Sequence, residues 1–254
     1  MTTISPVLQI GLEAYWSVFC VFCRIGAVMF LAPAFGEQTL PVRVKLGAAI
    51  AFTMIVWPAI KTTSYQSGIF PAAAALGVEV SAGLFIGLLL RLMVHALEIA
   101  GAIAAQSTSL SQLFGGATGA DPQPVVGRLM VMAGLAFACL TGLHVRLAEY
   151  LIFSYQIIPA GELVSPSAVM QVGLGQVTTV FGLGLSLAAP FVLAAMLYNV
   201  TLGVINRAMP QLMVAFIGAP AITAGGMILL ILSLPLILSV WNDKLDQTLS
   251  GAVP

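Results

Sequence analysis

The chain has 254 residues, of which 60% are apolar and only 7% are charged, and its nine basic and nine acidic side chains cancel. About a quarter of the residues of soluble domains are charged, so this composition and a mean hydropathy of +1.07 exclude the soluble class. No basic run is present, which excludes nucleic-acid binding. We predict an all-α, membrane-associated bundle of long helical hairpins, one polytopic domain over residues 1–254 with roughly six hydrophobic helices.

The first hydrophobic helix is predicted over residues 14–31. The segment before it lacks the positive charges of a cleavable signal peptide, so we expect this helix to stay attached. The helix contains Arg24 and also Cys20 and Cys23, which have the spacing of redox dithiols. Because this pair lies within an apolar helix, without a preceding strand or further metal ligands nearby, ordinary packing is the favoured interpretation.

A second helix is predicted to begin near Pro41 and to end at Trp57–Pro58. Proline is suited to the first turn of a helix, where its missing N–H would have no partner in any case. The basic residues Arg43 and Lys45 stand near the same end of the helix. The tryptophan at the other end is suited to a membrane–water interface.

The third helix, predicted over residues 72–105, is longer than a bilayer requires and carries Glu79, Arg91, His95 and Glu98. The last three residues lie three or four positions apart, so they share a helix face that we expect to point toward protein or water. A proton relay is one interpretation of this polar cluster. A cluster that fixes helix packing is favoured, because a relay needs a continuous path. Gly83 and Gly87 form a GxxxG pattern in the same helix, which permits close approach of another helix.

A segment of small and polar residues, Gln106–Gln123, follows the third helix. A loop of this length between compact elements is more often functional than idle. Two interpretations stay open, namely an apolar gasket or plug and a surface loop that lies against its own protein. The residues that would form the plug are Leu110, Leu113, Phe114, Gly115 and Gly116.

The fourth helix is predicted over residues 125–143, and the connection His144–Pro166 after it is amphipathic and aromatic. This pattern is typical of an interfacial or re-entrant helix and equally of a buried packing segment. Basic residues are distributed almost evenly between alternate loops, so the positive-inside rule predicts no orientation.

The last two helices are predicted over residues 167–205 and 212–240. At 1.5 Å per residue the first of them would reach ~60 Å, about twice the hydrocarbon thickness, so we expect it to kink near Pro190 or to project beyond the bilayer. Arg207 is the only charged residue from Leu163 to Asn242. In hydrocarbon its guanidinium would cost at least ~2.5–3.5 kcal/mol, so it must lie at a membrane boundary, in a wet cavity or against oxygens of a partner.

The lone arginine therefore predicts that the chain folds back as a helical hairpin with its bend at Asn206–Gln211. Pro210 supports this prediction, because it lacks an N–H and disfavours helical geometry at Met209. Glycines along the last two helices permit close backbone contact, either in ordinary lipid-embedded packing or in subunit assembly. The residues assigned to the bend or to assembly are Asn199, Gly203, Asn206, Arg207, Pro210, Gln211, Gly218 and Pro220.

No catalytic signature is found in the sequence. The chain has two histidines and lacks the HExxH, GxSxG and Walker patterns, and nothing singles out a serine nucleophile for an intramembrane protease. We therefore predict a protein that is not an enzyme and has no cofactor or metal. A secondary transporter that uses the Arg91, His95 and Glu98 cluster remains the alternative function.

Three separated stretches resemble those of one protein family. They are GEQTLPVRVKLG at Gly36–Gly47, EIAGAIAAQSTSLSQLFGGATGADP at Glu98–Pro122 and NVTLGVINRAMPQLMVAFIGAP at Asn199–Pro220. In order, spacing and overall chain length they are similar to the FliR family of flagellar type III export proteins. The related injectisome homologue is a close second.

The resemblance implies a subunit of the export gate at the base of the flagellum, in the bacterial inner membrane and raised toward the periplasm. It implies assembly with FliP-like and FliQ-like subunits into a channel for unfolded export substrates, on which an FlhB-like subunit docks. The loop at Gln106–Asp121 would correspond to the plug of the family, which helps to close the channel before secretion begins.

Overall fold

The structure is a computed structural model that describes residues 6–60, 68–108, 125–209 and 214–251. Within these ranges the chain forms seven α-helices and no strand, which confirms the all-α prediction. A short 3₁₀ turn at Trp57–Ala59 follows the second helix. The helices are α1 (Pro6–Leu31), α2 (Val42–Val56), α3 (Ile69–Ser107), α4 (Val125–Leu140), α5 (Leu143–Ile157), α6 (Pro166–Ala208) and α7 (Val214–Leu249).

The helices are long and apolar enough for the predicted membrane association. Among the described residues, five helices could cross a membrane (α1, α2 with its 3₁₀ turn, α3, α6 and α7), or six if α4 and α5 count as one broken span. The α3 and α6 helices contain 39 and 43 residues, so at 1.5 Å per residue each is about twice as long as the hydrocarbon layer is thick. Because α6 continues through Pro190 without interruption, no break at this proline removes its excess length.

The α6 and α7 helices form the predicted hairpin. The Tyr198 hydroxyl donates a hydrogen bond to the Gly218 carbonyl, and these two residues are equally far along the chain from Ala208, where α6 ends. A Cβ atom on Gly218 would also lie 3.3 Å from a Leu202 methyl group. The chain therefore folds back between α6 and α7 as the lone charge predicted. The bend begins later than predicted, because α6 continues to Ala208 and includes Asn206 and Arg207 in its last turn.

A helix break at Gly142 separates α4 from α5. Gly142 has a φ of 90°, a conformation that favours glycine, and α4 therefore ends at Leu140 rather than near residue 143 as predicted. The amphipathic connection after this break is the helix α5. Its buried residues Leu143, Leu147, Leu151 and Ser154 recur at helical spacing, and the helix contacts α2, which supports the packing interpretation of this segment.

The chain divides into two compact units, each with its own buried side chains. The first unit consists of Met1–Leu92, Cys139–Gln176 and Asp246–Pro254, and the second consists of Met93–Ala138 and Val177–Leu245. The prediction of one polytopic domain stays a prediction.

In the second unit, a side-chain hydrogen bond joins α7 to α3. The fully buried Trp241 donates its indole N–H to the Met93 carbonyl at 2.8 Å. In the first unit, the last turn of α7 and the residues just after it contact α5. The Arg146 guanidinium donates to the Asp246 carboxylate, and a Cβ atom on Gly251 would meet the Phe153 ring at 2.6 Å.

The GxxxG pattern of α3 brings this helix onto α1 in the first unit. A Cβ atom on Gly83 would lie 2.3 Å from the carbonyl oxygen of Arg24, and one on Gly87 would lie 2.9 Å from the Leu31 Cβ. Both glycines therefore allow a helix approach that larger residues would prevent, as the pattern predicts. This approach places the middle of α3 directly against the C-terminal part of α1.

Candidate functional site

Two oppositely charged side chains are buried together between α1 and α3. Arg24 Nε donates to Glu79 Oε2 at 2.7 Å, and the two side chains are 0% and 1% exposed. Arg24 lies in the middle of the α1 apolar run, and Glu79 lies in the first half of α3. A buried charge of this kind is tolerated only with a well-placed partner, so each residue depends on the other.

The same ion pair holds the connection between α5 and α6. Arg24 Nη1 donates to the Ile158 carbonyl at 2.9 Å, and the Gly161 N–H donates to Glu79 Oε1 at 2.8 Å. The guanidinium carbon lies 3.7 Å from the centre of the Tyr155 ring, a cation–π contact. One buried ion pair therefore fixes α1, α3 and the end of α5 together within the first unit.

The ionisable residues of α3 are divided among two ion pairs and one hydrogen-bonded pair. Glu79 pairs with Arg24, as described above. Arg91 Nη1 donates to Glu37 Oε1 at 2.5 Å, with the two side chains 24% and 25% exposed. His95 Nδ1 lies 2.6 Å from Glu98 Oε2 within the helix itself. This division supports a packing role for these residues over a proton relay.

The start of α2 differs slightly from the prediction. Pro41 has a ψ of 143° and immediately precedes α2, so it lies at the N-cap rather than in the first helical turn. Lys45 donates from its Nζ to the Gly36 carbonyl at 3.0 Å, and the same ammonium lies 5.5 Å from the centre of the Phe30 ring. Lys45 thus closes the turn between α1 and α2, while Arg43 is exposed.

Arg207 lies exposed in the last turn of α6. A positive charge is favourable there, because the C-terminal end of a helix carries partial negative charge. No hydrogen bond or ion pair joins Arg207 to any other described residue. Asn199, Gly203 and Asn206 are exposed on the same stretch, and Pro220 is exposed near the start of α7.

Some predicted site residues lie outside the described residues. These are the plug residues Leu110, Leu113, Phe114, Gly115 and Gly116 and the bend residues Pro210 and Gln211. The segment that contains the plug residues begins after Thr108 and ends before Val125, and the segment that contains the bend residues lies between Met209 and Val214.

Large apolar side chains are exposed along both arms of the α6–α7 hairpin. A soluble monomer rarely exposes a contiguous apolar surface of this kind, so the hairpin faces lipid, other protein chains or both. These exposed side chains include Leu193, Met196, Leu197, Val200 and Val204 on α6 and Ile228, Ile231, Leu232 and Leu236 on α7.

Sequence reasoning noted Arg24 but gave it no role. The available signal was an arginine in the middle of one apolar helix and an acid, Glu79, in the next long apolar helix. Two such charges each require a partner, which favours pairing between the helices.

Cys20 is buried and Cys23 half-buried in α1, as packing residues would be. In the described ranges no three His, Cys, Asp or Glu side chains are placed to bind a metal ion together.

Comparison with known proteins gives matches over nearly the whole chain. Residues 15–248 match the bacterial export proteins, family 1. The chain is 31% identical over 234 residues to the flagellar biosynthetic protein FliR of Caulobacter vibrioides, covering 90% of this chain and 92% of that protein. It is 31% identical over 221 residues to FliR of Aquifex aeolicus (85% and 84% covered) and 28% identical over 241 residues to FliR of Escherichia coli (91% and 90% covered). The chain therefore belongs to the FliR family of bacterial export proteins.

Proposed function

We propose that this protein is a subunit of the flagellar type III export gate, where it helps to form and close a channel for unfolded export substrates. The match to bacterial export proteins over residues 15–248 carries the proposal, because it includes all seven helices at least in part. The three relatives described above are flagellar biosynthetic proteins, which favours flagellar over injectisome substrates. The protein acts without catalysis and is required for flagellum assembly.

The proposed partners are FliP-like and FliQ-like subunits, with an FlhB-like subunit docked on the channel. The exposed apolar side chains of the α6–α7 hairpin support this proposal, since neighbouring subunits and lipid would cover them. The excess length of α3 and α6 supports a complex in the bacterial inner membrane and flagellar basal body that is raised toward the periplasm.

The size of the gently extracted particle tests this proposal against the transporter alternative. A gate subunit is expected to copurify with other small apolar proteins in a particle several times heavier than the 26.4 kDa chain. A transporter would function alone or as a homo-oligomer with saturable uptake of a small solute. Recovery of an active single copy or homo-oligomer would contradict the gate.

Arg207→Ala is expected to reduce the recovery of intact complex on the order of tenfold, which corresponds to about 1.4 kcal/mol. The exposed guanidinium has no partner among the described residues, so we infer that oxygens of a neighbouring chain receive its hydrogen bonds and would lose them. The measurement is the amount of complex that copurifies with a tagged subunit. Arg207→Lys is the matched control, because it retains the charge and is expected to assemble better than the alanine variant. Normal assembly and export by Arg207→Ala would show that the cation has no such role.

Deletion of Ser109–Gly119 is expected to make resting cells leak small ions or metabolites while the complex still assembles. The reason is that this segment includes all five proposed plug residues, whose apolar side chains and glycines would seal the lumen. The measurement is solute permeability of non-secreting cells alongside recovery of the complex.

A same-length replacement of Ser109–Gly119 by glycine and serine is the matched control for the deletion. It retains the connection between α3 and α4 and removes the apolar side chains, so we expect it to leak as well. Unaltered permeability in the deletion would remove the plug assignment.

A further inference from the structure

One side of α2, in the first unit, is exposed and apolar except for a single cation. The apolar side chains of Leu46, Ile50, Met54 and Ile55 are between 45% and 62% exposed, and the residues that α2 buries lie on its opposite side. Arg43 is exposed on the same side as Ile50 and Met54, because residues two or three helical turns apart share a face. The outer face of α2 therefore begins with a guanidinium and continues as hydrocarbon.

The start of α2 carries positive charge that its surroundings do not neutralise. The nearby Arg91 and Glu37 cancel each other as an ion pair. Lys45 donates to the Gly36 carbonyl, a neutral acceptor that leaves the ammonium charge in place. Within the described part of the chain no hydrogen bond or ion pair engages Arg43. The charges of Arg43 and Lys45 therefore call for an anion from outside the chain.

The length of α2 with its 3₁₀ turn is that of one bilayer crossing. The span Val42–Ala59 has 18 residues, of which 22% are buried within the protein, and at 1.5 Å per residue it is ~27 Å long against a hydrocarbon thickness of ~30 Å. At its far end Trp57 donates its indole N–H to the Ser17 hydroxyl at 3.2 Å, in a position suited to the membrane–water interface. Arg43 lies at the opposite end, where lipid headgroups begin.

We propose that the outer face of α2 binds an anionic phospholipid, with the headgroup phosphate on the Arg43 guanidinium and an acyl chain along Leu46 and Ile50. A guanidinium can donate two parallel hydrogen bonds to a phosphate while it neutralises the charge. Lys45 supplies a second cation for the same headgroup. Its ammonium lies 5.5 Å from the centre of the Phe30 ring, and Phe30 is 65% exposed.

Charge and shape together favour a lipid over a neighbouring protein chain on this face. A phospholipid carries its anion and its hydrocarbon in one molecule, and the two meet at the membrane boundary, where Arg43 lies. A zwitterionic lipid brings its own cation and would leave the positive charge of α2 uncompensated, so the anionic class is preferred. An anionic lipid on α2 is compatible with both the gate and the transporter, so its binding does not depend on the proposed function.

The experiment identifies the molecules that contact α2 in a bilayer. Leu46 is replaced by a photo-crosslinking phenylalanine derivative, and the full-length protein, with the subunits that accompany it, is reconstituted into vesicles of equal parts phosphatidylcholine and phosphatidylglycerol. Mass spectrometry after illumination measures the ratio of the two lipids attached at this position. Phosphatidylglycerol is expected to be enriched about fivefold, which corresponds to about 1 kcal/mol for one basic residue at a membrane surface.

The same photo-crosslinking derivative in place of Met54 is the matched control. Met54 is exposed on the same face but lies ~16 Å from Arg43 along the helix axis, about half the hydrocarbon thickness. Lipid is expected to attach there as well, with the two lipids in nearly equal amounts. The comparison separates an effect of the cation from a general preference of the vesicle or of the crosslinking chemistry.

Substitutions of Arg43 test whether its charge selects the lipid. With the derivative at position 46, Arg43→Met is expected to lower the phosphatidylglycerol ratio toward that of the vesicle, and Arg43→Lys is expected to retain most of the enrichment. Recovery of the protein is expected to be unaltered in both variants, because the Arg43 side chain is exposed. If Arg43→Met is not recovered, the comparison of positions 46 and 54 in the otherwise unmodified protein decides.

Three results would overturn the inference. One is a crosslink from position 46 to another protein chain in place of lipid, which would make the face a subunit interface. Another is lipid attachment at position 46 without enrichment of phosphatidylglycerol over position 54. The third is an enrichment that Arg43→Met leaves unchanged, which would show that the guanidinium does not hold the phosphate.

Discussion

Arg24→Met is expected to reduce strongly the recovery of the folded subunit and to lower its thermal unfolding midpoint. The substitution leaves the Glu79 carboxylate, which is 1% exposed, without its cation between α1 and α3. Removing one partner of a buried ion pair costs about 3–5 kcal/mol. Domains are stable by only about 5–15 kcal/mol, so this loss is a large fraction of the total. The measurements are the amount of subunit in the membrane and the thermal unfolding midpoint of the extracted complex.

Arg91→Met is the matched control for this prediction. Arg91 also forms an ion pair between α3 and the α1–α2 region, but its side chain and that of Glu37 are about a quarter exposed. Ion pairs that water can screen contribute about 0–1 kcal/mol, so a small effect is expected. The double variant Arg24→Met/Glu79→Leu is expected to recover part of the stability, because no buried charge is left alone. An unchanged unfolding midpoint in Arg24→Met would contradict the assigned role of the pair.

Gly101→Val is expected to destabilise the second unit by at least about 3 kcal/mol, the upper end of the usual range for overpacking. A Cβ atom on Gly101 would lie 2.4 Å from the Gly127 Cα and 2.7 Å from its backbone nitrogen, so α3 and α4 would have to separate. Backbone atoms cannot rotate away as a side chain can. The thermal unfolding midpoint of the complex measures the effect, at about 2–4 °C per kcal/mol for a chain of this size.

Gly77→Val is the matched control on the same helix. Gly77 is exposed on α3, and a Cβ atom there would meet nothing within 4 Å. Valine is a better helix former than glycine, so we expect this variant to be at least as stable as the unmodified protein. Equal unfolding midpoints for the two variants would show that α3 and α4 do not depend on their glycine contact.

The lengths of the apolar runs and one isolated charge predicted most of the helical architecture from the sequence. The apolar runs predicted the long helices, since a run is visible without knowledge of its neighbours. Arg207 predicted the turn between α6 and α7, because one charge in an otherwise apolar tract must reach water or polar atoms. The glycines at positions 83 and 87 predicted a close helix contact, although not that α1 is the partner.

The sequence could not predict which helices share their charges. Helical spacing grouped Arg91, His95 and Glu98, because periodicity shows which residues of one helix share a face. It does not show which other helix packs there, and Glu79 pairs with a residue 55 positions away. The Arg24 contacts with the connection after α5 are more distant still, at 134 positions for Ile158. Such pairings depend on how the helices pack in three dimensions.

The Arg146–Asp246 contact has a consequence for how the chain is made. Asp246 belongs to the unit that begins with α1, so a ribosome must translate almost the whole chain before that unit has all its contacts. Domains generally fold in the order of synthesis, but here the part that is synthesised first is completed last. A chain that stops just before Asp246 would therefore lack a contact of the unit whose first helices are synthesised earliest.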